Sequence, residues 1–499
     1  MSIDLSKSKY CKCLQCEKIL WLTKYKPDCV PKKNKDDIIE RGKKVGELAK
    51  GLLGDYIDIP YDEDLSIMIE KTDELLKDKP NIITEASFSY NNNFCSVDIL
   101  KNDLEGVEIY EVKSSTSLED NPIYLDDVAY QYFVLSNLGL NVKKAYVVYL
   151  NKKYIRGEEL DINQLFIKDD VTDIVRKKQD KVRCNVDKFN KFFEVHGKDN
   201  EPQKDIGIYC CKPYSCDFWE YCSRDLPKPN VFDLKGKMRK ATKFKKYHEG
   251  KISFEDLQND NLGDKYLEQI DFELHHREPK IVKEEIKKFL SSLNYPLYFI
   301  DYEAFQCAVP AFEGTHSYQQ IPFQYSLHII KEEGAPFEHK EFLAEIDDKN
   351  MIRNFAESMI KDLPENGSVI VYNQTFEESQ VNKKICKMYP DLKDEIKRIN
   401  ANMVDIMVQF SDRNYYVKEM QGSASLKYVL PALYPDDPEL DYDELSLVHK
   451  GDEASQAFLS LKDKTPKEQE EIKEALLEYC KLDTYAMVKI WEKFREVTI

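Results

Sequence analysis

The alternation of apolar and polar positions indicates an α/β arrangement in the first half of the chain. Residues 94–100 (FCSVDIL) and 107–113 (VEIYEVK) alternate with a period of two, which predicts two strands joined as a hairpin. Residues 124–139 read as a helix that closes at a glycine. The apolar run at 143–150 (KKAYVVYL) then predicts a buried strand.

A second α/β region begins at 295–303 (YPLYFIDYE), where an apolar strand follows a charged stretch. Residues 369–379 predict a strand that runs into a helix, 403–410 predict a helical segment, and 466–496 predict the last long helix. The length of 499 residues favours two or three domains. We therefore expect an α/β chain with a first domain at 1–225, a mostly helical linker at 226–290 and a second domain at 291–499.

Composition and charge limit the classes of protein that the chain can represent. Apolar residues make up 42% of the sequence, and no apolar run reaches the length of a membrane span. The N-terminal sequence lacks the layout of a signal peptide, so we expect a cytoplasmic protein without a membrane partner. The net charge of −18 argues against tight non-specific DNA binding, although catalytic sites for divalent cations are themselves acidic.

Two carboxylates and a lysine lie on the two strands of the predicted hairpin. Asp98 is late in the first strand, and Glu111 and Lys113 are two residues apart on the second. Side chains two apart on a strand face the same way, so a hairpin can bring all three together. The carboxylates could hold Mg²⁺ or Mn²⁺, and the lysine could position water. A solvated patch at a sheet edge is the alternative.

This pattern, followed by a helix that carries Gln131, resembles the PD-(D/E)XK nucleases, particularly their RecB-like branch. The resemblance implies an active site made of Asp98, Glu111, Lys113 and Gln131, with Tyr132 as a further candidate. Many RecB-like enzymes have a histidine ligand in an early helix, where this chain has Gly46. Glu47 or Glu85 could compensate for its absence.

Thirteen cysteines are many for a cytosolic chain, where clustered cysteines more often bind metal than form disulfides. Cys210, Cys216 and Cys222 are separated by five residues each, and Cys16 lies far upstream. This distribution resembles the iron–sulfur centre of RecB-like nucleases, including the CRISPR-associated exonucleases, and implies a [4Fe–4S] cluster on these four residues. Zinc, which also accepts four thiolates, and unrelated buried cysteines are the alternatives. Spare candidates are Cys11, Cys13 and Cys211.

Four carboxylates of the second region could also converge. Asp301 and Glu303 end the strand at 298–303, Glu377 follows the next strand, and Asp483 lies four residues after Tyr479 on the last helix. Residues four apart on a helix share a face. Such a set could hold two divalent cations about 4 Å apart, with the tyrosine orienting the attacking water. Each acid taken alone could also be an ordinary end of a helix or strand.

The order of these motifs resembles the DEDD exonucleases, the DnaQ-like group within the RNase H-like fold, in their tyrosine variant. Asp-x-Glu would be the first motif, Asn373 to Glu377 the second, with Glu where Asp is usual, and Tyr-x-x-x-Asp the third. The resemblance implies 3′ to 5′ exonuclease activity with two Mg²⁺ or Mn²⁺ ions. Asp405 and Lys427 are weaker candidates for assisting residues.

As a whole, the chain resembles a family of bacterial and archaeal proteins described as predicted RecB-like nucleases, and residues 312–329 are typical of its second half. We therefore expect a metal-dependent nuclease with a PD-(D/E)XK restriction-endonuclease-like domain and an RNase H-like domain, acting on DNA more than on RNA. Two alternatives stay open. The first half could be an iron–sulfur module that only binds nucleic acid, or the chain could be a non-enzymatic scaffold.

Overall fold

The protein folds as two units, each built on its own mixed sheet with helices. The computed structural model describes residues 5–31, 36–78, 80–364 and 366–499. One unit consists of Met1–Leu226 with Cys307–Tyr318, and the other of Pro227–Gln306 with Gln319–Ile499. The expected α/β class is confirmed, because helices and mixed sheets occur in both units.

The first unit has seven strands that form one sheet within the described residues. These strands are β1 Leu5–Ser6, β2 Ile57–Asp58, β3 Ile82–Tyr90, β4 Asn93–Asp103, β5 Gly106–Lys113, β6 Val142–Leu150 and β7 Phe166–Asp170. Its helices are α1 Lys7–Gln15, α2 Lys18–Tyr25, α3 Asp36–Lys50, α4 Leu65–Asp78, α5 Ile123–Asn137, α6 Ile162–Leu165, α7 Thr172–Lys177, α8 Gln179–Asn190, α9 Phe192–Val195 and α10 Trp219–Ser223.

Strands β3, β4 and β5 form an antiparallel meander, and helix α5 crosses from β5 to the parallel strand β6. Asn91 and Asn92 adopt positive φ angles of 46° and 61° in the turn between β3 and β4, which asparagine tolerates better than most residues. Helix α1 packs on α5 through the rings of Tyr10 and Tyr130, whose centroids are 4.7 Å apart. The predicted hairpin, helix and following strand are therefore confirmed.

The second unit contains a five-stranded sheet in the order β11-β10-β9-β12-β13 and a small pair of β14 with β8. The strands are β8 Lys280–Ile281, β9 Leu297–Gln306, β10 Gln320–Ile330, β11 Glu338–Leu343, β12 Ser368–Val371, β13 Met403–Asp405 and β14 Tyr415–Tyr416. The helices are α11 Lys240–His248, α12 Phe254–Leu257, α13 Asp264–His275, α14 Lys283–Ser292, α15 Met351–Asp362, α16 Lys383–Met388, α17 Lys393–Ala401, α18 Val408–Ser411, α19 Leu426–Leu433, α20 Gly451–Ser460 and α21 Pro466–Thr498.

The central strand β9 pairs with β10 in the antiparallel sense and with β12 in the parallel sense. Because β9 and β12 are parallel, their carboxyl ends reach the same edge of the sheet. The long helix α21 begins at a capping box formed by Thr465 and Glu468, and Trp491 packs 6.1 Å from the ring of Phe299 on β9. The last predicted helix is thus confirmed, and it lies against the strand that carries the first acidic motif.

One local prediction needs correction, and another is confirmed with an unexpected type of helix. Residues 403–410 were expected to be helical, but their first part is β13, which pairs with β12 and is followed by the short helix α18. Backbone pairing along the sheet edge outweighs helix propensity there. The helix expected after β12 is a π-helix at Thr375–Asn382, a wide turn that is often found at functional sites.

Candidate functional site

The acidic cluster of the second unit starts from strand β9. Asp301 and Glu303 are two residues apart on this strand, where they pair with Ser326 and Gln324 of β10. Leu297–Ile300 precede them as a run of buried apolar residues. The strand therefore carries its two acids on one face, at the point where the apolar run ends.

Helix α21 supplies the third acid. One carboxylate oxygen each from Asp301, Glu303 and Asp483 lie within 4.8 Å of one another. Among the described residues, this is the one group of three or more acidic, histidine or cysteine ligands with that spacing. Glu303 and Asp483 are each only 8% exposed. Sequence positions almost two hundred residues apart are therefore brought into a single buried cluster, as the motif order predicted.

Glu377 lies close to this cluster but is not part of the tight group. It sits in the π-helix after β12, it is 1% exposed, and its charge contributes to the raised pKa of Asp301. Its Oε2 atom has no hydrogen-bond partner among the described residues. Burial, together with the nearby charge of Asp405, raises the pKa of Glu377 to about 8. Such a buried and unpartnered acceptor is energetically costly unless a cation or proton satisfies it.

The three clustered carboxylates repel one another in the absence of a cation. Burial first, and then the charges of Asp483 and Glu303, raise the pKa of Asp301 far above its ordinary range. Burial raises the pKa of Asp483 to about 6, although hydrogen bonds from Tyr442 and Tyr479 oppose that rise. The cluster thus has the electrostatic character of a site for a cation.

Two residues outside the three motifs complete the surroundings of Asp483. The Tyr442 hydroxyl donates a short hydrogen bond to Asp483 Oδ1, and its ring lies 5.9 Å from that of Tyr479. Burial raises the pKa values of both Glu303 and Asp483, and the positive charge of Lys427 opposes that rise. The sequence predicts Lys427 as a weaker candidate for an assisting residue, whereas no motif in the sequence indicates Tyr442 as a functional residue.

Asp405 has a structural role at this edge of the sheet. Its carboxylate accepts hydrogen bonds from the backbone amides of Asn373 at 3.1 Å, Gln374 at 3.0 Å and Met407 at 3.0 Å. Asn373 has a positive φ angle of 80°. Asp405 therefore holds the turn that leads into the π-helix, and it acts on Glu377 only through its charge.

The acidic cluster of the first unit is organised differently. Asp98 Oδ2 accepts a hydrogen bond of 2.7 Å from the Val112 amide, and Glu111 is 1% exposed. Lys113 Nζ lies 2.5 Å from Glu111 Oε1, and Gln131 Nε2 lies 2.7 Å from Glu111 Oε2. The structure therefore brings together the predicted acids, lysine and glutamine.

Two further residues enter this first cluster that sequence reasoning missed. Lys7, the first residue of α1, places its Nζ 2.9 Å and 3.0 Å from the two oxygens of Glu111. Asp127 accepts a hydrogen bond of 2.6 Å from Lys113. Despite burial, the charges of Lys113 and Lys7 lower the pKa of Glu111. Asp127 lies four residues before Gln131 on α5, and this helical spacing was the signal that could have identified it.

Among the remaining candidates of the first half, Glu85 lies near enough to the cluster for its charge to raise the pKa of Asp98, whereas Tyr132 and Glu47 have other partners. The Tyr132 hydroxyl accepts a hydrogen bond of 3.3 Å from Arg176 Nε. Glu47 pairs with Lys50 at 2.7 Å. Burial raises the pKa of Glu85, whose Oε2 accepts a hydrogen bond of 3.4 Å from Ser96. A Cβ added at Gly46 would meet no described atom within 4 Å, so the position of the expected histidine is open space.

The four cysteines singled out in the sequence come together in the first unit. Burial raises the pKa of the Cys210 thiol to about 12, and the thiols of Cys216, Cys16 and Cys222 contribute to that rise. The Cys216 amide donates to the Cys210 carbonyl at 2.9 Å, which closes the loop between them. Gln15 Nε2 donates to two backbone carbonyls of this loop, and thereby ties the end of α1 to it. The chemistry of four converging thiols suits a metal centre.

Comparison with known proteins yields one match. A family model described as a domain of unknown function, DUF2779, matches residues 298–425. Searches of curated proteins and of solved structures found no match. In the described part of the chain, no helix is both long enough and apolar enough to cross a membrane. The matched segment begins within β9 and contains Asp301, Glu303 and Glu377, so the DUF2779 match includes three of the four predicted acids of the second unit.

Proposed function

We propose that this protein is a divalent-cation-dependent nuclease whose hydrolytic site is the acidic cluster of the second unit. The main observation in support is that Asp301, Glu303 and Asp483 converge within 4.8 Å, with Glu303 and Asp483 buried and Asp301 partly buried. Burying three carboxylates without a compensating cation is unfavourable, and a scaffold has no need of it. The resemblance to the DEDD exonucleases supports an RNase H-like fold for this unit.

The donor set suits Mg²⁺ or Mn²⁺. Both ions prefer carboxylate oxygens, and the cluster offers these from Asp301, Glu303 and Asp483, with Glu377 close by. When bound, two such ions would activate water and stabilise negative charge on a phosphodiester. The unpartnered Oε2 of Glu377 is an acceptor that a second ion could satisfy.

The protein's own residues around the cluster orient the reacting groups. Tyr479 is 5% exposed, and burial together with the charges of Asp483 and Glu303 raises its hydroxyl pKa, so the hydroxyl stays protonated and can donate. We assign to it the orientation of the attacking water. Tyr442 holds Asp483 by its hydrogen bond, and Lys427 supplies positive charge near Asp483 that would stabilise a bound phosphate.

The proposed substrate and the proposed direction of cutting rest on the resemblance to the DEDD exonucleases. DEDD exonucleases remove nucleotides in the 3′ to 5′ direction, and we extend this polarity to the present chain with DNA as the preferred substrate. A PD-(D/E)XK-like fold for the first unit is supported by the β5–α5–β6 crossover, which places Glu111, Lys113 and Gln131 side by side.

For the first unit, the pairing of its acids with lysines supports the alternative in which this unit does not cut nucleic acid. The ammonium groups of Lys7 and Lys113 offset much of the negative charge of the three acids there, Asp98, Glu111 and Asp127. These acids are not among the described groups with three ligand atoms within 4.8 Å. As arranged, the cluster does not fit a resident divalent cation, and no hydrolytic step is assigned to it.

We assign the four cysteines to a [4Fe–4S] cluster. A single zinc ion with Zn–S bonds of about 2.3 Å would hold its sulfurs about 3.8 Å apart. No three cysteine sulfurs in the described residues lie within 4.8 Å of one another. The sulfurs therefore do not lie at the spacing of a bound zinc ion, and the choice of iron rests on the resemblance to the RecB-like nucleases. When bound, the cluster would join α1 to the loop around Cys210.

The deciding experiment compares the full-length protein with the double variant Asp301→Asn/Asp483→Asn. Single- and double-stranded DNA and RNA, labelled at either end, are incubated with Mg²⁺ or Mn²⁺. We expect trimming from 3′ ends to fall by at least about 100-fold in the double variant. The matched control is Glu478→Gln, which alters an exposed acid on the same helix and should retain full activity. Unchanged trimming in the double variant would eliminate this site as the source of activity.

A titration with Mn²⁺ distinguishes the nuclease from a non-enzymatic scaffold. The cluster should bind Mn²⁺ in the wild-type protein and in Glu478→Gln, but not in Asp301→Asn/Asp483→Asn. A wild-type protein that binds no Mn²⁺ would favour the scaffold.

A further inference from the structure

The backbone around Lys7 fixes its ammonium group beside the acids of the first cluster, Asp98, Glu111 and Asp127. Its helix α1 begins directly after β1, and the Ser6 side chain caps the helix by accepting from the Lys9 amide at 3.3 Å. The Leu5 carbonyl accepts a hydrogen bond of 2.9 Å from the Tyr130 hydroxyl. Lys7 therefore projects from a backbone that is held on both sides.

The Lys7 ammonium reaches every acid of the cluster. Its Nζ lies 2.9 Å and 3.0 Å from the two oxygens of Glu111. It also lies 3.9 Å from Asp98 and 3.9 Å from Asp127. The Lys7 side chain is only 19% exposed. An ammonium ion thus occupies the space among the carboxylates, where a divalent cation would need to bind.

Both carboxylate oxygens of Glu111 already accept hydrogen bonds from neighbouring side chains. Lys7, Lys113 and Gln131 together contact both of its oxygens, with Lys113 at 2.5 Å and Gln131 at 2.7 Å. Mg²⁺ requires oxygen ligands at about 2.0–2.1 Å in near-octahedral geometry. Lys7 cannot remain within 3.0 Å of both oxygens while such an ion binds them.

A second observation is that a buried polar side chain in contact with this cluster is not fully hydrogen-bonded. Gln131 is fully buried, its amide nitrogen lies against Glu111, and its Oε1 atom has no hydrogen-bond partner among the described residues. Leaving a buried amide oxygen without a partner is energetically unfavourable. The Gln131 side chain is therefore directed at the acidic cluster through its amide nitrogen while one of its own polar atoms remains unsatisfied.

We propose that Lys7 is the resident counter-ion of the first acidic cluster, and that the cluster binds a divalent cation only when the Lys7 ammonium is withdrawn or removed. The first unit is thus held in a cation-free form by its own N-terminal helix. This inference concerns the first unit alone and does not depend on hydrolysis at the second.

The test measures Mn²⁺ binding in a protein whose second cluster is disabled by Asp301→Asn/Asp483→Asn. In that background, Lys7→Met removes the ammonium and Lys7→Arg keeps a positive charge. Lys9→Met is the matched control, because Lys9 is exposed on the same helix. Free Mn²⁺ is followed by electron paramagnetic resonance, so the readout is independent of nuclease activity.

We expect Lys7→Met to bind one equivalent of Mn²⁺ that the parent, Lys7→Arg and Lys9→Met do not bind over the same range of Mn²⁺ concentrations. Adding Glu111→Gln should abolish this binding, which locates the ion in the first cluster. The inference is overturned if folded Lys7→Met titrates like the parent. It is equally overturned if the parent already binds one equivalent that Glu111→Gln removes.

If Lys7→Met does not fold in EDTA, adding Mn²⁺ to the unfolded variant still tests the proposal. If the carboxylates need a counter-ion for folding, Mn²⁺ should replace the ammonium and restore the folded state, as followed by circular dichroism. Recovery in millimolar Mn²⁺ supports the inference. A variant that remains unfolded with Mn²⁺ refutes it, because the cation would then be unable to take the place of Lys7.

Discussion

Replacing Asp483 by Asn should change stability in opposite directions with and without divalent cations. In the metal-free protein, Asp483 is buried beside Asp301 and Glu303. Asparagine has nearly the same size and can still accept a hydrogen bond from Tyr442 or Tyr479, but it carries no charge. The substitution therefore relieves repulsion in the metal-free state and removes a ligand in the metal-bound state.

The magnitude follows from the pKa of Asp483, which burial raises from 3.8 to about 6. A tenfold change in a dissociation constant is worth about 1.4 kcal/mol, so the ionised side chain costs the fold about 3 kcal/mol at pH 8. Because the pKa of Asp483 is raised in the folded state, the side chain does not destabilise the fold below pH 3.8, where it is protonated in both states. The destabilisation develops as the pH rises from 3.8 and is complete above about 6. We expect metal-free Asp483→Asn to be more stable than wild type by about 1–3 kcal/mol at pH 8 and by almost nothing near pH 4.

The assay is thermal unfolding in EDTA and in saturating Mn²⁺, at both pH values. A change of 1 kcal/mol moves Tm by about 2–4 °C in a unit of this size. Wild type should gain about 3 kcal/mol when Mn²⁺ is present at a hundred times its Kd, whereas Asp483→Asn should gain little. The exposed control Glu478→Gln should stay within about 0.5 kcal/mol of wild type throughout.

The electrostatic reasoning fails if metal-free Asp483→Asn is less stable than wild type at pH 8. It also fails if the difference between the two proteins is the same at pH 4 and pH 8. An equal gain from Mn²⁺ in both proteins would place the ion elsewhere.

Three further predictions can be checked on the full chain. Cys210→Ser should abolish the brown colour of anaerobically purified protein and lower the Tm of the first unit, whereas Cys184→Ser, at an exposed cysteine, should do neither. Tyr442→Phe removes a donor to the Asp483 carboxylate, so the Asp483 pKa should rise and the acid limb of a plot of Mn²⁺ affinity against pH should move upward. Asp405→Ala leaves three backbone amides without their acceptor and should cost about 3 kcal/mol in a urea titration.

Local elements were predictable because they depend on near neighbours along the chain. The period-two pattern in β4 and β5 and the helical pattern of α5 were read from spacing alone. The apolar pattern gave a wrong prediction at β13, which was expected to be helical. Its conformation depends on pairing with β12, a strand more than thirty residues away. The pattern also did not reveal the wide π-helical turn around Glu377, because that turn depends on the amide hydrogen bonds accepted by Asp405.

By itself, the sequence determined which acids, tyrosines and cysteines are available, and in which order their motifs occur. Only the tertiary structure decided that Asp301, Glu303 and Asp483 share one buried position without a matching set of ammonium groups. It also decided that the negative charge of the first cluster is partly offset by Lys7, which is more than ninety residues away from its acids, together with Lys113. The physical reason is that charge balance depends on distances of a few ångströms in a buried, low-dielectric setting, and chain spacing does not contain those distances.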